Sequence, residues 1–113
     1  MQRMLRFAAL LLALALALPA GNVSNGSNTC PTSGAKRISS TSIRAIHFTV
    51  QSVSSNMGII YLGGPSVTTN GVAIGAGDAD TFPPASNTAQ YDLSQIYFAC
   101  SVNTDSIVYT YLQ

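Results

Sequence analysis

Hydrophobic and polar residues alternate over the segment IRAIHFTVQSV, residues 43–53. Ile46, Phe48 and Val50 share one face of this pattern. The other face takes Ile43, Ala45, His47, Thr49 and Gln51. A period of two is typical of a β-strand with one buried side, because successive side chains of a strand point to opposite faces. The pattern therefore predicts a strand at 43–53.

Further strands are predicted downstream. Residues 57–64 (MGIIYLGG) are apolar on both faces, which favours a central or covered strand. A short strand is expected at 80–82, followed by 93–102 and 105–113. The strand at 93–102 has one apolar face, formed by Ile96, Phe98, Cys100 and Val102. About six to seven short strands separated by turns predict an all-β fold, a small antiparallel β-sandwich or a jelly-roll-like barrel.

Glycines punctuate residues 59–78 (IIYLGGPSVTTNGVAIGAGD). This stretch lacks the lysine of a P-loop and the third glycine and following helix of a dinucleotide-binding loop. The glycines therefore indicate turns. Asn70-Gly71 predicts a type I′ hairpin turn, in which both central residues have positive φ. Gly75 and Gly77 are predicted to form the next turn.

The first 42 residues differ from the rest. Residues 1–20 have two arginines before the apolar run Phe7–Leu18 and a small-residue site at Pro19-Ala20-Gly21, the layout of a signal peptide. The run is shorter than the roughly 20 apolar residues that span a bilayer, so no stable membrane span is expected. A retained anchor and a start site assigned too early are the alternatives. Residues 21–42, rich in Ser, Asn and Gly, predict a flexible linker or arm before a β-sandwich domain at 43–113.

The net charge and the two cysteines bear on the class of partner and on a possible disulfide. Beyond the leader, three basic side chains face four aspartates, a net charge of −1. Nucleic acid is excluded as a partner, because it requires a basic surface. Cys30 and Cys100 could form one disulfide in an exported chain, or Cys100 could pack as a free thiol. The sequence leaves both options open.

Few residues offer chemistry. Asp78 and Asp80 could share a cation, but the chain has no glutamate and lacks the further ligands of a calcium loop. His47, the single histidine, could form a triad with a serine and Asp92 or Asp105. No nucleophile motif accompanies it. We therefore predict a non-enzymatic protein with no catalytic residues, no metal site and no cofactor.

Aromatic residues are better candidates for contact. The predicted interface residues are Tyr61, Tyr97, Tyr109, Tyr111 and His47. Tyr97, Tyr109 and Tyr111 are predicted to lie on strand faces opposite the main apolar stripes and to be half exposed. Tyrosines in such positions suit protein interfaces and sugar stacking, since each ring is apolar with a polar tip. Charged residues make up only 8% of the chain, so its thinly charged strand faces favour self-association.

Five segments of the domain follow one another in a recognisable order: IRAIHFTVQS, NMGIIYLGG, SVTTNGVAIGAGD, DLSQIYFACS and DSIVYTYL. They give an opening strand, an Asn-x-Gly-apolar-Tyr strand, a Thr-Asn-Gly hairpin with its Gly-Asp turn, an Asp-Leu-Ser-x-Ile-Tyr strand and a closing strand. In this order of elements the domain resembles a small β-sandwich module of tailed-phage virion proteins. The signal-like leader departs from this pattern, because virion parts assemble in the cytoplasm.

The resemblance implies a structural part of a virion: a head decoration, a fibre or a tail-associated subunit. Its expected partners are copies of itself, as in a trimer, and other virion proteins. The alternative from the residues themselves is a secreted or periplasmic binding module, a surface adhesin whose tyrosines contact a glycan or a protein.

Overall fold

The computed structural model describes residues 22–83 and 90–113. Every helix or strand assigned within these residues is a β-strand, which confirms the predicted all-β class. The predicted leader, residues 1–20, lies outside the described residues. No helix in the described part of the chain is long and apolar enough to cross a membrane.

Two four-stranded antiparallel sheets form a β-sandwich. The first sheet has the order β1-β10-β4-β7, the second β2-β9-β5-β6, and β3 pairs with β8 at the side. The strands are β1 (Val23–Thr29), β2 (Lys36–Arg37), β3 (Arg44–Ala45), β4 (His47–Ser52), β5 (Ile60–Gly63), β6 (Val72–Ile74), β7 (Ala79–Phe82), β8 (Tyr91–Asp92), β9 (Tyr97–Cys100) and β10 (Ser106–Leu112).

The core lies between the two sheets and is built by alternation. In β4 the buried residues are Phe48, Val50 and Ser52, as the period of two predicts. The second sheet contributes Ile60, Leu62 and Phe98, each at most 2% exposed. As predicted from its two apolar faces, β5 is central, between β9 and β6.

One interruption changes the predicted faces of residues 43–53. A bend at Ile46 separates β3 from β4. Because of this bend, Ala45 is fully buried while Ile46 is only half-buried. The prediction of one continuous strand with Ile46 on the core face is therefore wrong at this position.

Residues 23–29 and 36–37 are strands, so the interpretation of 21–42 as a flexible linker is corrected for the described residues. β1 pairs with β10 at seven positions, from Val23↔Leu112 to Thr29↔Ser106. The strand VSNGSNT has a single large apolar side chain, Val23, which is 71% exposed. Main-chain hydrogen bonds to β10 hold it in place, and a rule based on apolar content does not detect that interaction.

Gly26 shows how such a polar strand fits the sandwich. It pairs with Tyr109 of β10, and a Cβ added to Gly26 would collide with the Tyr109 ring and hydroxyl. Tyr109 packs against the core from this position. The missing side chain of Gly26 therefore makes room for the ring that covers the margin of the core.

The β5–β6 hairpin differs from its prediction. Its loop spans residues 64–71, and neither Asn70 nor Gly71 has positive φ, so the turn is not type I′. Asn70 Oδ1 instead accepts hydrogen bonds from the Thr68 N–H and hydroxyl. Gly71 is needed for space, because a Cβ there would collide with the Leu62 carbonyl oxygen and Val67.

The turn at Gly75–Asp78 forms as predicted. The Asp78 N–H donates to the Gly75 carbonyl at 2.9 Å. Gly77 has φ +79°, a conformation that residues with a Cβ rarely adopt. This turn leads directly into β7.

A disulfide joins Cys30, just after β1, to Cys100 at the end of β9. Their Cα atoms are 6.0 Å apart, within the ordinary range for a bridge. Since β1 belongs to the first sheet and β9 to the second, the bridge links the two sheets covalently. The opposite end of the sandwich is filled by stacked Phe48 and Phe82, with Tyr91 edge-on to both.

We predict that Gly26→Ala destabilises the fold by about 1–3 kcal/mol, because the new methyl group forces the Tyr109 ring out of its place. The midpoint of urea unfolding at constant slope measures this change. Gly64→Ala is the matched control: nothing lies within 4 Å of its added Cβ, so the free energy of unfolding should change by less than about 0.5 kcal/mol. Equal midpoints for the two variants would contradict the prediction.

Candidate functional site

Asp105 is buried, with 3% of its surface exposed, and its carboxylate holds a loop of the second sheet. Its two oxygens accept the backbone N–H groups of Met57 at 2.9 Å and Gly58 at 2.8 Å. Its own carbonyl accepts the N–H of Cys30. Asp105 therefore ties the start of β10 to the loop before β5 and to the disulfide, which is a structural role.

Asn56 completes this connection. Its Nδ2 donates to the Ser52 hydroxyl at 2.8 Å and to the Ser106 carbonyl at 2.7 Å. Its Oδ1 accepts the Ser106 N–H at 3.0 Å. In addition, the Ser101 hydroxyl accepts the N–H of Ile59 at 2.8 Å. We use "the polar end" for the set Asn56, Ser101, Asp105 and the Cys30–Cys100 bridge.

Asp92 shapes a turn after β8. Its Oδ1 accepts the Ser94 hydroxyl at 2.7 Å and the Ser94 N–H at 3.0 Å, and its Oδ2 accepts the Ser42 hydroxyl at 2.8 Å. These donors favour the ionised carboxylate. The two Ser94 bonds, followed by the Ser42 bond, hold the pKa of Asp92 at about 2, below its ordinary value of 3.8.

His47 does not form a triad with either carboxylate. It begins β4 and pairs with Leu112, whereas the polar end lies beyond Ser52 at the other end of that strand. The Asp92 and Asp105 carboxylates are already engaged by Ser42, Ser94, Met57 and Gly58. His47 instead lines a shallow groove beside Val23, Tyr111 and Leu112.

The two candidate cation ligands, Asp78 and Asp80, lie in different environments. Asp78 closes an exposed turn, while Asp80 is a half-buried residue of β7 opposite Val50. Within residues 22–83 and 90–113, no group of three or more His, Cys, Asp or Glu side chains is placed to hold a metal ion.

Tyr109 and Tyr111 lie on the core side of β10, which corrects their predicted face. Both pack against the core cluster on the same side as buried Ile107, and their ring centroids are 6.1 Å apart. Burial, followed by the neighbouring Tyr111, raises the pKa of Tyr109 above its ordinary value of 10.0. These rings close the margin of the sandwich while remaining half exposed.

Tyr61 and Tyr97 lie on the outer face of the second sheet. Tyr97 pairs with Gly63, and Tyr61 pairs with Ala99, while Ile60, Leu62 and Phe98 on the alternate positions point into the core. The two tyrosines are therefore diagonal neighbours on adjacent strands, a spacing of roughly 7–8 Å. We call the outer surface formed by Tyr61, Tyr97, Gly63, Ala99 and Arg37 the tyrosine face.

Arg37 borders this face on the edge strand β2. It pairs with Tyr97, its Nε donates to the Tyr97 hydroxyl at 3.0 Å, and its guanidinium carbon lies 5.9 Å from the centre of the ring. Lys36, its neighbour, donates from Nζ to the Thr29 carbonyl at 3.1 Å. Both cations thus have neutral oxygen partners at a solvent-exposed edge.

Sequence reasoning missed the residues that organise these two regions. Lys36 and Arg37 fell within the predicted linker, although two adjacent cations in a chain with 8% charged residues were a signal. Asn56 stands in the Asn-x-Gly motif, but that motif does not reveal its role, and Ser101 was not singled out. The roles of both depend on partners about 40–50 positions away in sequence, at Ser106 and Ile59. Comparisons with protein-family models, curated proteins and solved structures find no match to this chain.

We predict that Asp105→Asn destabilises the fold by about 2–3 kcal/mol, because the amide loses the charge and offers one acceptor where the loop presents two donors. Urea unfolding measures the change. Asp78→Asn, at an exposed position, is the control and should change the free energy of unfolding by less than about 0.5 kcal/mol. Similar effects of both substitutions would show that the Asp105 bonds to Met57 and Gly58 contribute little.

We predict a pH-dependent contribution from Asp92. Its folded pKa of about 2 lies below its ordinary 3.8, so its stabilisation is fully present above the ordinary value and is lost as pH falls through the folded value. The difference in urea midpoint between the native chain and Asp92→Asn should therefore be constant above about pH 5 and shrink towards pH 2. Ser94→Ala removes the largest cause of the shift, so its background should show a weaker pH dependence of that difference.

Proposed function

We propose that the chain is a non-enzymatic structural subunit of a tailed-phage virion, of the head-decoration, fibre or tail-associated kind. It acts by packing against copies of itself and against other virion proteins. The observation that carries this proposal is the role of four polar or glycine motifs in the resemblance: each of the four holds a turn or a loop of the sandwich.

The motif residues can be followed one by one. Asn56 of the Asn-x-Gly motif binds the start of β10, and Asn70 of the Thr-Asn-Gly motif folds the β5–β6 loop. Gly77 of the Gly-Asp motif occupies the positive-φ position before β7. Asp92 of the Asp-Leu-Ser motif holds Ser94. A motif set devoted to turns favours a rigid building block, because side chains that hold turns are not free for chemistry.

The surface offers material for subunit contacts. Several large apolar side chains are exposed: Val23, Met57, Ile59, Val72 and Val108. Val72 lies on β6, an edge strand of the second sheet that is three residues long. Edge strands present unpaired backbone groups that a neighbouring subunit can bind. Apolar residues beside such an edge support assembly into a larger structure.

A second function is favoured by the disulfide. Bridges persist in oxidising compartments and are rare in the cytosol, so Cys30–Cys100 supports an exported binding module, secreted or periplasmic. In that role the exposed tyrosine face would contact a glycan or a protein. Export also agrees with the signal-like character of residues 1–20.

One expression experiment separates the two functions. The full chain is produced in a Sec-competent bacterium, and intact masses are measured in cytoplasm and periplasm, reduced and non-reduced. The virion subunit predicts an unprocessed or internally started cytoplasmic chain that sediments as a defined oligomer. The exported module predicts a periplasmic chain beginning at Gly21 that is two hydrogens lighter before reduction.

The virion assignment has a direct test of its own. Mass spectrometry of purified particles, from a host that carries the gene in a phage or prophage, should find the chain in a fixed ratio to the major capsid protein. A chain that is absent from particles and recovered only from the periplasm or the medium would overturn the virion assignment.

A further inference from the structure

We propose that the edge formed by Lys36 and Arg37, together with Tyr97 and Tyr61, binds an acidic oligosaccharide. Carboxylate-bearing sugar units would lie against the two cations, and a neighbouring sugar ring would lie against Tyr61. This proposal deepens the exported-module function, on which it rests, by naming the class of its ligand.

Charge distribution is the first argument. The described residues contain three basic side chains, Lys36, Arg37 and Arg44. Two of these are adjacent on β2 and leave it on opposite sides: Arg37 lies opposite Tyr97 on the outer face, and Lys36 lies opposite core-facing Phe98. Their hydrogen-bond partners, the Tyr97 hydroxyl and the Thr29 carbonyl, are neutral. Since each cation keeps further N–H donors, each can bind an anionic oxygen from its own side of the edge. The contact with Tyr97 also orients the guanidinium in advance, which lowers the entropic cost of binding.

The shape of the surface is the second argument. A groove of about 340 Å³ is lined by Asn28, Lys36, Arg37 and Ser40. The Ser40 hydroxyl beside the cations matches a sugar acid, whose carboxylate is surrounded by hydroxyl groups. The Asn28 amide is engaged by the Thr29 N–H and by the Arg37 and Ile38 carbonyls. The groove is open to solvent and has more apolar than polar surface, so it can receive the apolar face of a sugar ring beside the carboxylate.

The tyrosine face supplies a platform next to the cations. Tyr61 lines a second groove, of about 200 Å³, with Val67, Thr68, Thr69 and Ala99. Its surface combines an aromatic ring and a valine with two threonines. A pyranose ring has an apolar face and hydroxyl edges, so it matches this combination. Tyr61 on β5 lies across β9 from Arg37 on β2, two strand spacings or roughly 10 Å away, a distance that a short oligosaccharide spans.

These features favour a sugar acid over other anionic ligands. A nucleic acid would require a wider basic surface than two side chains on a domain of net negative charge. A free phosphate or sulfate would use the cations and leave Tyr61 without a role. An acidic sugar chain uses both parts of the surface, the cationic edge and the aromatic platform.

The test is calorimetric titration of the purified, disulfide-bonded chain with a short oligogalacturonate, compared with an uncharged oligosaccharide of the same length and with sulfate. We expect binding of the oligogalacturonate alone, weakened when salt rises from about 0.05 M to about 0.5 M because the cationic edge is exposed. Arg37→Gln and Tyr61→Ala should each weaken binding by about tenfold or more, a loss of about 1.4 kcal/mol. Lys36→Gln provides a second variant of the cationic edge.

Arg44→Gln is the matched control, because Arg44 is an exposed residue of β3 with the same charge and lines neither groove. Its affinity should stay within about twofold of the native chain. Equal weakening by Arg44→Gln and Arg37→Gln, or binding that Tyr61→Ala leaves unchanged, would mean that any polyanion binds and would overturn the proposal. Absence of oligogalacturonate binding by the native chain would also overturn it. The export experiment has a separate readout, the mass and compartment of the chain. Failure of the acidic-oligosaccharide proposal is therefore distinguishable from failure of the exported-module function.

Discussion

The covalent link between the two sheets is the constraint on which the rest of this sandwich depends. A domain of this size buries few large side chains, and small domains commonly need a staple in addition to a core. Cys30–Cys100 closes a loop of 70 residues. In the chain-entropy model the bridge lowers the entropy of the unfolded chain and so stabilises the fold by about 4 kcal/mol. Asp105 and Asn56 reinforce the same end with hydrogen bonds. The disulfide and these hydrogen bonds therefore act together at the polar end, where they hold the two sheets to each other and fix the loop before β5 against the start of β10.

The position of β1 follows from that constraint. Its side chains bury little surface, so the strand gains its order from pairing with β10 and from Cys30, which anchors its carboxyl end. Gly26 lets the Tyr109 ring lie over the strand. The same edge carries Asn28, whose side chain donates to the Arg37 and Ile38 carbonyls. A polar segment that looks like a linker thus connects the first sheet to the cationic edge of the second.

The sequence was most informative where burial repeats along the chain. Phe48 and Val50 are buried on the alternation that predicted them, because a period of two is a local property of the strand. β1 and β2 were not predicted, since their order comes from partners far along the chain. The predicted type I′ turn was wrong because β5 and β6 are joined by the longer loop 64–71, in which Val67 packs close to Gly63 and Gly71. The predicted faces of Tyr109 and Tyr111 were also wrong, because a tyrosine can pack against the margin of a core and still be half exposed.

The candidate site was the part hardest to predict from the sequence, because some polar residues hold turns while others lie on the outer face of a sheet, and the sequence does not tell them apart. The residues that resemble reactive ones, Asp92, Asp105 and Asn56, are engaged in holding turns. The residues with donors and ring surface still available, Arg37 and Tyr61, lie on the outer side of a sheet whose inner side builds the core. Strand pairing brings Arg37 next to Tyr97, 60 positions away, so no short motif could announce their proximity. The rigidity supplied by the first group gives the second a fixed spacing, and a surface of fixed spacing can recognise a partner without chemistry of its own.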